Sequence, residues 1–164
     1  MITQTELKAK LHYNPNTGIF THLLTHRTVH KGDIAGCSDK SRGGYVRISI
    51  GKGKYRDAQC LAFLYMLGHM PKGEVDHIDH NTQNNKWNNL RDVTHGVNGK
   101  NQRKYKNNSS GIAGIRRRDS GKYRARIYVK GKHIDLGTFT CEQDAINARK
   151  FAENKYDFHR NHGK

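Results

Sequence analysis

Apolar positions alternate, cluster and disappear in short blocks along this chain, and the blocks predict several small elements. Thr3-x-x-Glu6 has the form of a capping box, and Leu7 and Leu11 share one face of the helix it would open over residues 1–11. Tyr13-Asn14-Pro15-Asn16-Thr17-Gly18 is dense in turn formers and should stop that helix. A strand is expected from Ile19 to Leu24, then a polar loop from Lys31 to Gly44. Tyr45-Val46-Arg47-Ile48-Ser49-Ile50 alternates with the period of a strand, and Gly51-Lys52-Gly53-Lys54 reads as a hairpin turn leading to Tyr55. Ala58 to Leu67, the most apolar segment, is predicted as a helix packed on that hairpin and ended by Gly68 and Pro71.

The centre of the chain reads as strand, loop, strand, helix. Val75–Ile78 is the first strand, Asp79–Asn88 the loop and Leu90–Val93 the second strand, with Thr94 capping a short helix that carries Asn98 and Asn101. The basic, polar run Asn98–Ser110 reads as a linker lying along phosphates or as a flexible tether. Strands are then expected over Gly111–Arg118, Lys122–Lys130 and Lys132–Phe139, joined by Asp119-Ser120-Gly121 and the tight Lys130-Gly131-Lys132 turn. Thr140-x-x-Gln143 has the pattern of a second capping box, opening a helix with Ala145, Ala148, Ala152 and Tyr156 along one side. In the middle strand Tyr123, Ala125, Ile127 and Val129 alternate with Lys122, Arg124, Arg126, Tyr128 and Lys130. One face is apolar and can receive the helix; the other is cationic and open. Ile134 and Leu136 belong inside, while His133 and Asp135 join the open face. An arginine-bearing sheet face can enter the major groove of DNA, where arginine pairs with guanine O6 and N7.

Composition sharpens this picture. Of 164 residues only 34% are hydrophobic, and mean hydropathy is −0.95, so small α+β modules are expected rather than one large core. Thirty Lys and Arg against fourteen Asp and Glu leave a net charge of +16, which calls for a polyanionic partner. An anionic membrane would be the competitor, but no long apolar run, amphipathic basic helix, signal peptide or lipidation motif supports it. Cys37, Cys60 and Cys141 are three and widely separated, with no C-x-x-C pair. Neither a zinc site nor a disulfide framework is expected, and a soluble protein of a reducing cytoplasm fits best.

The candidate chemistry lies in Glu74-Val75-Asp76-His77-Ile78-Asp79-His80-Asn81 and the asparagine-rich run that follows. An acid and an imidazole beside an amide oxygen are what metal-assisted phosphodiester hydrolysis needs. A hard cation such as Mg²⁺, with Mn²⁺ as the alternative, takes carboxylate and carbonyl oxygens, and a neutral histidine accepts a proton from water. Asn81, Asn84, Asn85 and Asn88 are expected to close Asx turns, and His80 to be a surface or phosphate-contacting residue. Neighbours on a regular strand point to opposite faces, so Asp76 and His77 share a site only if the strand ends or twists there.

Asp76-His77, Asn89 and Asn98, with the Asn-Asn-Leu-Arg turn between them, resemble the HNH endonucleases in the variant whose last motif position is asparagine. The resemblance spans residues 71–104 and implies a ββα-metal core. It also implies His77 as general base, Asp76 and Asn98 as metal ligands, and Asn89 as the brace of the loop and the histidine. The leader, residues 1–70, resembles the hairpin and apolar helix that precede the motif in phage-type HNH proteins, with Gln59-Cys60 where those relatives frequently have His-Arg. Ser109-Ser110-Gly111-Ile112-Ala113-Gly114-Ile115-Arg116-Arg117-Arg118 through Leu136-Gly137-Thr138-Phe139 resembles the APETALA2-type DNA-binding domain. That likeness implies DNA contacts from Arg116, Arg118, Lys122, Arg124, Arg126, Tyr128 and His133. Tyr123 stands where that family usually has tryptophan or phenylalanine, and Asp135 where an aromatic is common.

The expected organisation is a leader (1–70), a nuclease core (71–104), a basic linker (105–110) and a DNA-binding domain (111–164). The expected function is divalent-metal-dependent cleavage of double-stranded DNA by a mobile, phage-like homing endonuclease. It would act in the cytoplasm, of the host if phage-encoded, with a monomer favoured. The alternatives are a DNA-binding regulator with an inert HNH core and an RNA-binding protein. Few stacking rings on the sheet face disfavour the second.

Overall fold

The computed structural model describes residues 2–101, 108 and 111–163. It is a mixed α+β protein of small antiparallel sheets and helices, divided into two compact units, Met1–His95 and Gly96–Lys164. No helix among the described residues is long and apolar enough to cross a membrane.

The first unit opens with α1 (Gln4–Lys10), whose capping box is formed: Glu6 N–H donates to Thr3 Oγ1 at 3.2 Å and Thr3 N–H to Glu6 Oε2 at 2.8 Å. Two strands follow, β1 (Leu11–Asn14) and β2 (Ile19–His22), paired antiparallel with Tyr13 opposite Phe20. The turn expected from Tyr13 thus starts later, because Leu11 and Tyr13 alternate into the core. Four residues of alternation beside a helix pattern are too few to be read alone. A second strand lies hidden in the stretch expected as loop: β3 (Cys37–Asp39) pairs with β4 (Tyr45–Gly51), which pairs with β5 (Lys54–Asp57). Cys-Ser-Asp carries no apolar signal, and backbone pairing alone makes it a strand.

Helix α2 (Ala58–Leu67) has the expected bounds. Gly68 ends it at φ 81°, a left-handed conformation that glycine adopts without a Cβ penalty. Its Leu61, Ala62, Phe63 and Leu64 are buried with Leu7, Leu11, Tyr13, Phe20, Ile48 and Leu90 in one cluster, against which Val75 and Trp87 also pack. The leader and the β6 (Glu74–His77)–β7 (Leu90–Val93) hairpin therefore share a core.

Helix α3 (His95–Gly99) straddles the division between units. In the second unit β8 (Ile115–Arg117), β9 (Tyr123–Val129) and β10 (Lys132–Phe139) form an antiparallel sheet in the order β10-β9-β8, packed on α4 (Glu142–Lys155). The first of these strands is shorter than Gly111–Arg118. Helix α4 begins at Glu142 with Cys141 as its cap and no side-chain cap bond. The Thr140–Gln143 box is one residue out of register with that start, and Gln143 donates instead to Asn147 Oδ1 at 3.0 Å. Between buried Ala145 and Ala152 the helix buries Arg149, not an alanine.

Candidate functional site

Strand β6 ends at His77, and its last two residues meet different partners. Asp76 faces its ladder partner Arg91, whose Nε and Nη2 both reach Asp76 Oδ2, at 2.7 and 2.6 Å. Asp76 is the only buried acid among the described residues, and the guanidinium compensates a charge that burial alone would penalise. His77 turns the other way. Its Nε2 lies 3.2 Å from Asn85 Oδ1, and its ring is 5.8 Å from that of Tyr45. An amide oxygen only accepts, so in this orientation Nε2 carries the proton and the lone pair sits on Nδ1. Burial pushes the His77 pKa below 6.5, against the opposing pull of Asn85, Asp79 and Asp76. The imidazole is neutral at physiological pH, the state a proton acceptor needs.

The leader holds the far side of this arrangement. The phenol of buried Tyr13, pushed up to about 12 by burial, donates to the Asn85 carbonyl at 2.7 Å. Gly18, at φ 75°, lies so close that a Cβ would sit 2.3 Å from the Asn85 carbonyl carbon, and Trp87 N–H donates to Pro15 O at 2.9 Å. The β1–β2 turn therefore docks directly on residues 85–87. From the other sheet, Thr82 Oγ1 donates to Gly43 O at 3.0 Å and Gln83 Nε2 to Ser38 Oγ at 3.4 Å.

Asn89, buried, braces the loop through Asp79. It accepts from Asp79 N–H at 3.0 Å, donates to Asp79 Oδ1 at 2.9 Å, and donates to Asn84 O at 2.8 Å. Burial would raise the Asp79 carboxyl, but hydrogen bonds from Asn84, Asn81 and Asn89 outweigh it and hold it below the usual range. A second amide, that of Asn85, contacts the histidine. Asn85 falls in the asparagine run expected to close turns, and composition gave no sign that it alone would reach His77; Asn81 and Asn84 do accept from backbone N–H groups two residues on. Gln59 is a second surprise, buried in α2 with its Oε1 lacking a hydrogen-bond partner among the described residues.

Asn98 lies on α3 in the second unit, partly buried, and Asn101, expected on the same helix, is buried just past its end. The segment is tied to the C-terminal tail: Lys100 Nζ donates to Tyr156 O at 2.6 Å, and His159 N–H to Lys100 O at 3.1 Å. No group of three or more His, Cys, Asp and Glu side chains converges among the described residues. A cation held here would therefore rest on few protein ligands.

In the sheet of the second unit, Arg116 pairs with Arg124, Arg126 with Asp135 and Tyr128 with His133. Arg116, Arg126, Tyr128 and His133 are exposed, and the last two rings lie 4.9 Å apart. Lys122 and Arg118 sit in the exposed β8–β9 turn, where Arg118 N–H donates to Lys122 O at 2.8 Å. Arg124 differs from its neighbours, because its guanidinium is ion-paired with Asp135. Behind the sheet, Arg149 bonds Glu153 Oε1 at 2.8 Å and the Arg126 carbonyl, with Nη2 3.1 Å from His162 Nε2.

The β6–β7 hairpin thus carries a buried imidazole next in sequence to an arginine-paired carboxylate, and a short helix follows it. Residues 56–100 match the family model described as HNH endonuclease, which supports a nuclease acting on DNA. The match runs from β5 to just past α3. Neither the curated proteins nor the solved structures contain a match to the chain.

Proposed function

We propose that the protein is a divalent-metal-dependent DNA endonuclease of the phage-like homing type, brought to its target by the C-terminal sheet. The observation that carries this reading is the pairing of a buried, neutral His77 with Asn85 in the region matched to HNH endonucleases. His77 takes the proton of the attacking water on Nδ1, while its Nε2–H stays on Asn85, which keeps the ring from rotating. Asn89 and Asp79 hold the loop that carries Asn85. Asp76 and Asn98 would bind the cation, with Arg91 holding the Asp76 carboxylate in place. The ion, when bound, supplies Lewis-acid stabilisation of the departing 3′ oxygen. Arg116, Arg118, Lys122, Arg126, Tyr128 and His133 contact duplex DNA, and Arg124 does so together with Asp135. In this organisation residues 1–70 are scaffold for the nuclease core 71–104, residues 105–110 the linker and 111–164 the DNA-binding domain. A monomer in the cytoplasm is the form in which we expect it to act.

The test is incubation of purified protein with supercoiled plasmid and Mg²⁺. Conversion to nicked or linear forms that stops in excess chelator is the expected result. Tight DNA binding with no cleavage in Mg²⁺ or Mn²⁺ would instead identify a DNA-binding regulator with an inert core.

A further inference from the structure

Asp135 is the only acid in the three strands of the C-terminal sheet, and it lies on the cationic face. An acid repels phosphate, so a surface meant only to grip the backbone gains nothing from it. Its setting is well defined. The ladder shifts register between Asp135 and Gly137, a bulge that turns the carboxylate back along its own strand. Gly137, at φ 119°, donates its N–H to Asp135 Oδ1 at 2.9 Å. Oδ2 then receives both Nε, at 2.8 Å, and Nη2 of Arg124, which lies diagonally across on β9. The Gly137 hydrogen bond and the Arg124 guanidinium, acting against slight desolvation, keep the carboxyl ionised well into the acid range.

This contact uses one edge of the guanidinium. Of its five N–H donors three remain, and the end-on pair among them, one on Nη1 and the outer one on Nη2, matches guanine O6 and N7. A long side chain that is already held loses less rotamer freedom when it binds. Arg116 and Arg126 stand instead as exposed charges, neither of them held by a carboxylate from two sides. We propose that Asp135 is a positioning residue for Arg124, locking the guanidinium so that it reads a guanine edge in the major groove instead of gripping phosphate. The inference rests on the sheet being the DNA-binding face.

The test uses the full chain in chelator, so that DNA is bound and not cut. Selection from a duplex pool with a randomised centre gives the preferred sequence of the wild type. Affinities for that duplex and for a scrambled one are then compared for Arg116→Ala, Arg124→Ala, Asp135→Asn and the Arg124→Ala/Asp135→Asn double variant. Asparagine keeps an oxygen for the Gly137 N–H and so preserves the bulge; Asp135→Ser is the second variant if thermal unfolding shows a destabilised sheet. Arg124→Ala and Asp135→Asn should each lose roughly tenfold of the preference at the same guanine, and the double variant no more than either alone. Equal tightening on both duplexes in Asp135→Asn, with preference intact, would make the acid a mere charge and overturn the proposal. A preference abolished in Arg124→Ala and kept in Asp135→Asn overturns it as well. If all the variants, Arg116→Ala included, bind both duplexes as the wild type does, the sheet is not the DNA face and the underlying reading fails with it.

Discussion

The loop around His77 and the face around Arg124 solve opposite problems with opposite materials. The loop is built from neutral amides, buried and interlocked: Asn85 on His77, Asn89 on Asp79, Tyr13 on Asn85. The sheet face is built from charges, most of them exposed. A proton acceptor needs a fixed position and a fixed protonation state, and both follow from burial with satisfied hydrogen bonds. Attraction to a polyanion needs charges in solvent, where ordering them costs little before the partner arrives. Arg149 and Arg124 are the exceptions that mark structure within the cationic unit, one buried behind the sheet and the other paired on its face.

The contrast is broken most sharply at His77. His77→Ala should slow plasmid cleavage by roughly 10²- to 10⁴-fold while DNA binding stays nearly normal. Undiminished cleavage would remove the imidazole from the chemistry.

Truncation after Lys104 asks whether the two regions are separable. The cut removes Tyr156 and His159, which hold Lys100 two residues beyond Asn98. Misplacement of a positioned group can cost up to roughly 10²-fold, so turnover should fall even on saturating DNA, alongside the loss of binding. Turnover that survives saturation would show that the Asn98 segment needs no anchor and that the sheet only binds.

Asn85→Ala tests the amide construction itself. It leaves a buried imidazole N–H without its acceptor, at a cost of about 1–3 kcal/mol in stability. Urea unfolding should shift accordingly and cleavage should drop, while salt-dependent DNA binding is unchanged. Wild-type cleavage in this variant would return Asn85 to the role of a turn former.

A pH profile gives the next smaller effect. Catalysis needs neutral His77, and burial places its pKa below 6.5. The rate should therefore hold level through neutral pH and fall by about a decade per pH unit only on the acid side of that shifted value. A fall beginning above pH 7 would contradict the buried, neutral histidine. The smallest effect belongs to single charges of the open face. Arg116→Ala or Arg126→Ala should flatten the slope of log K against log salt by about 1 for each phosphate no longer neutralised, measured by titration in chelator.

Local signals were strong enough to be read from the chain directly. The α1 capping box, the Gly68 stop of α2, the strand alternation of Tyr123–Val129 and the strand–loop–strand pattern that carries Asp76 and His77 each announce themselves within a few positions. Net charge likewise required no fold to point at a polyanion. Tertiary structure decided the rest, because the deciding partners are distant in sequence. Tyr13 meets Asn85 across 72 positions, and only that contact, with Gly18 against the same backbone, separates Asn85 from the other asparagines of its run. Polar β3 becomes a strand only beside β4. Arg149 is buried because the Arg126 carbonyl and Glu153 are there to satisfy it, and Asp135 meets Arg124 diagonally across the β9–β10 ladder, where the register shifts. Hydrogen-bond satisfaction of a buried group is a property of all its neighbours at once, and no window of sequence contains them.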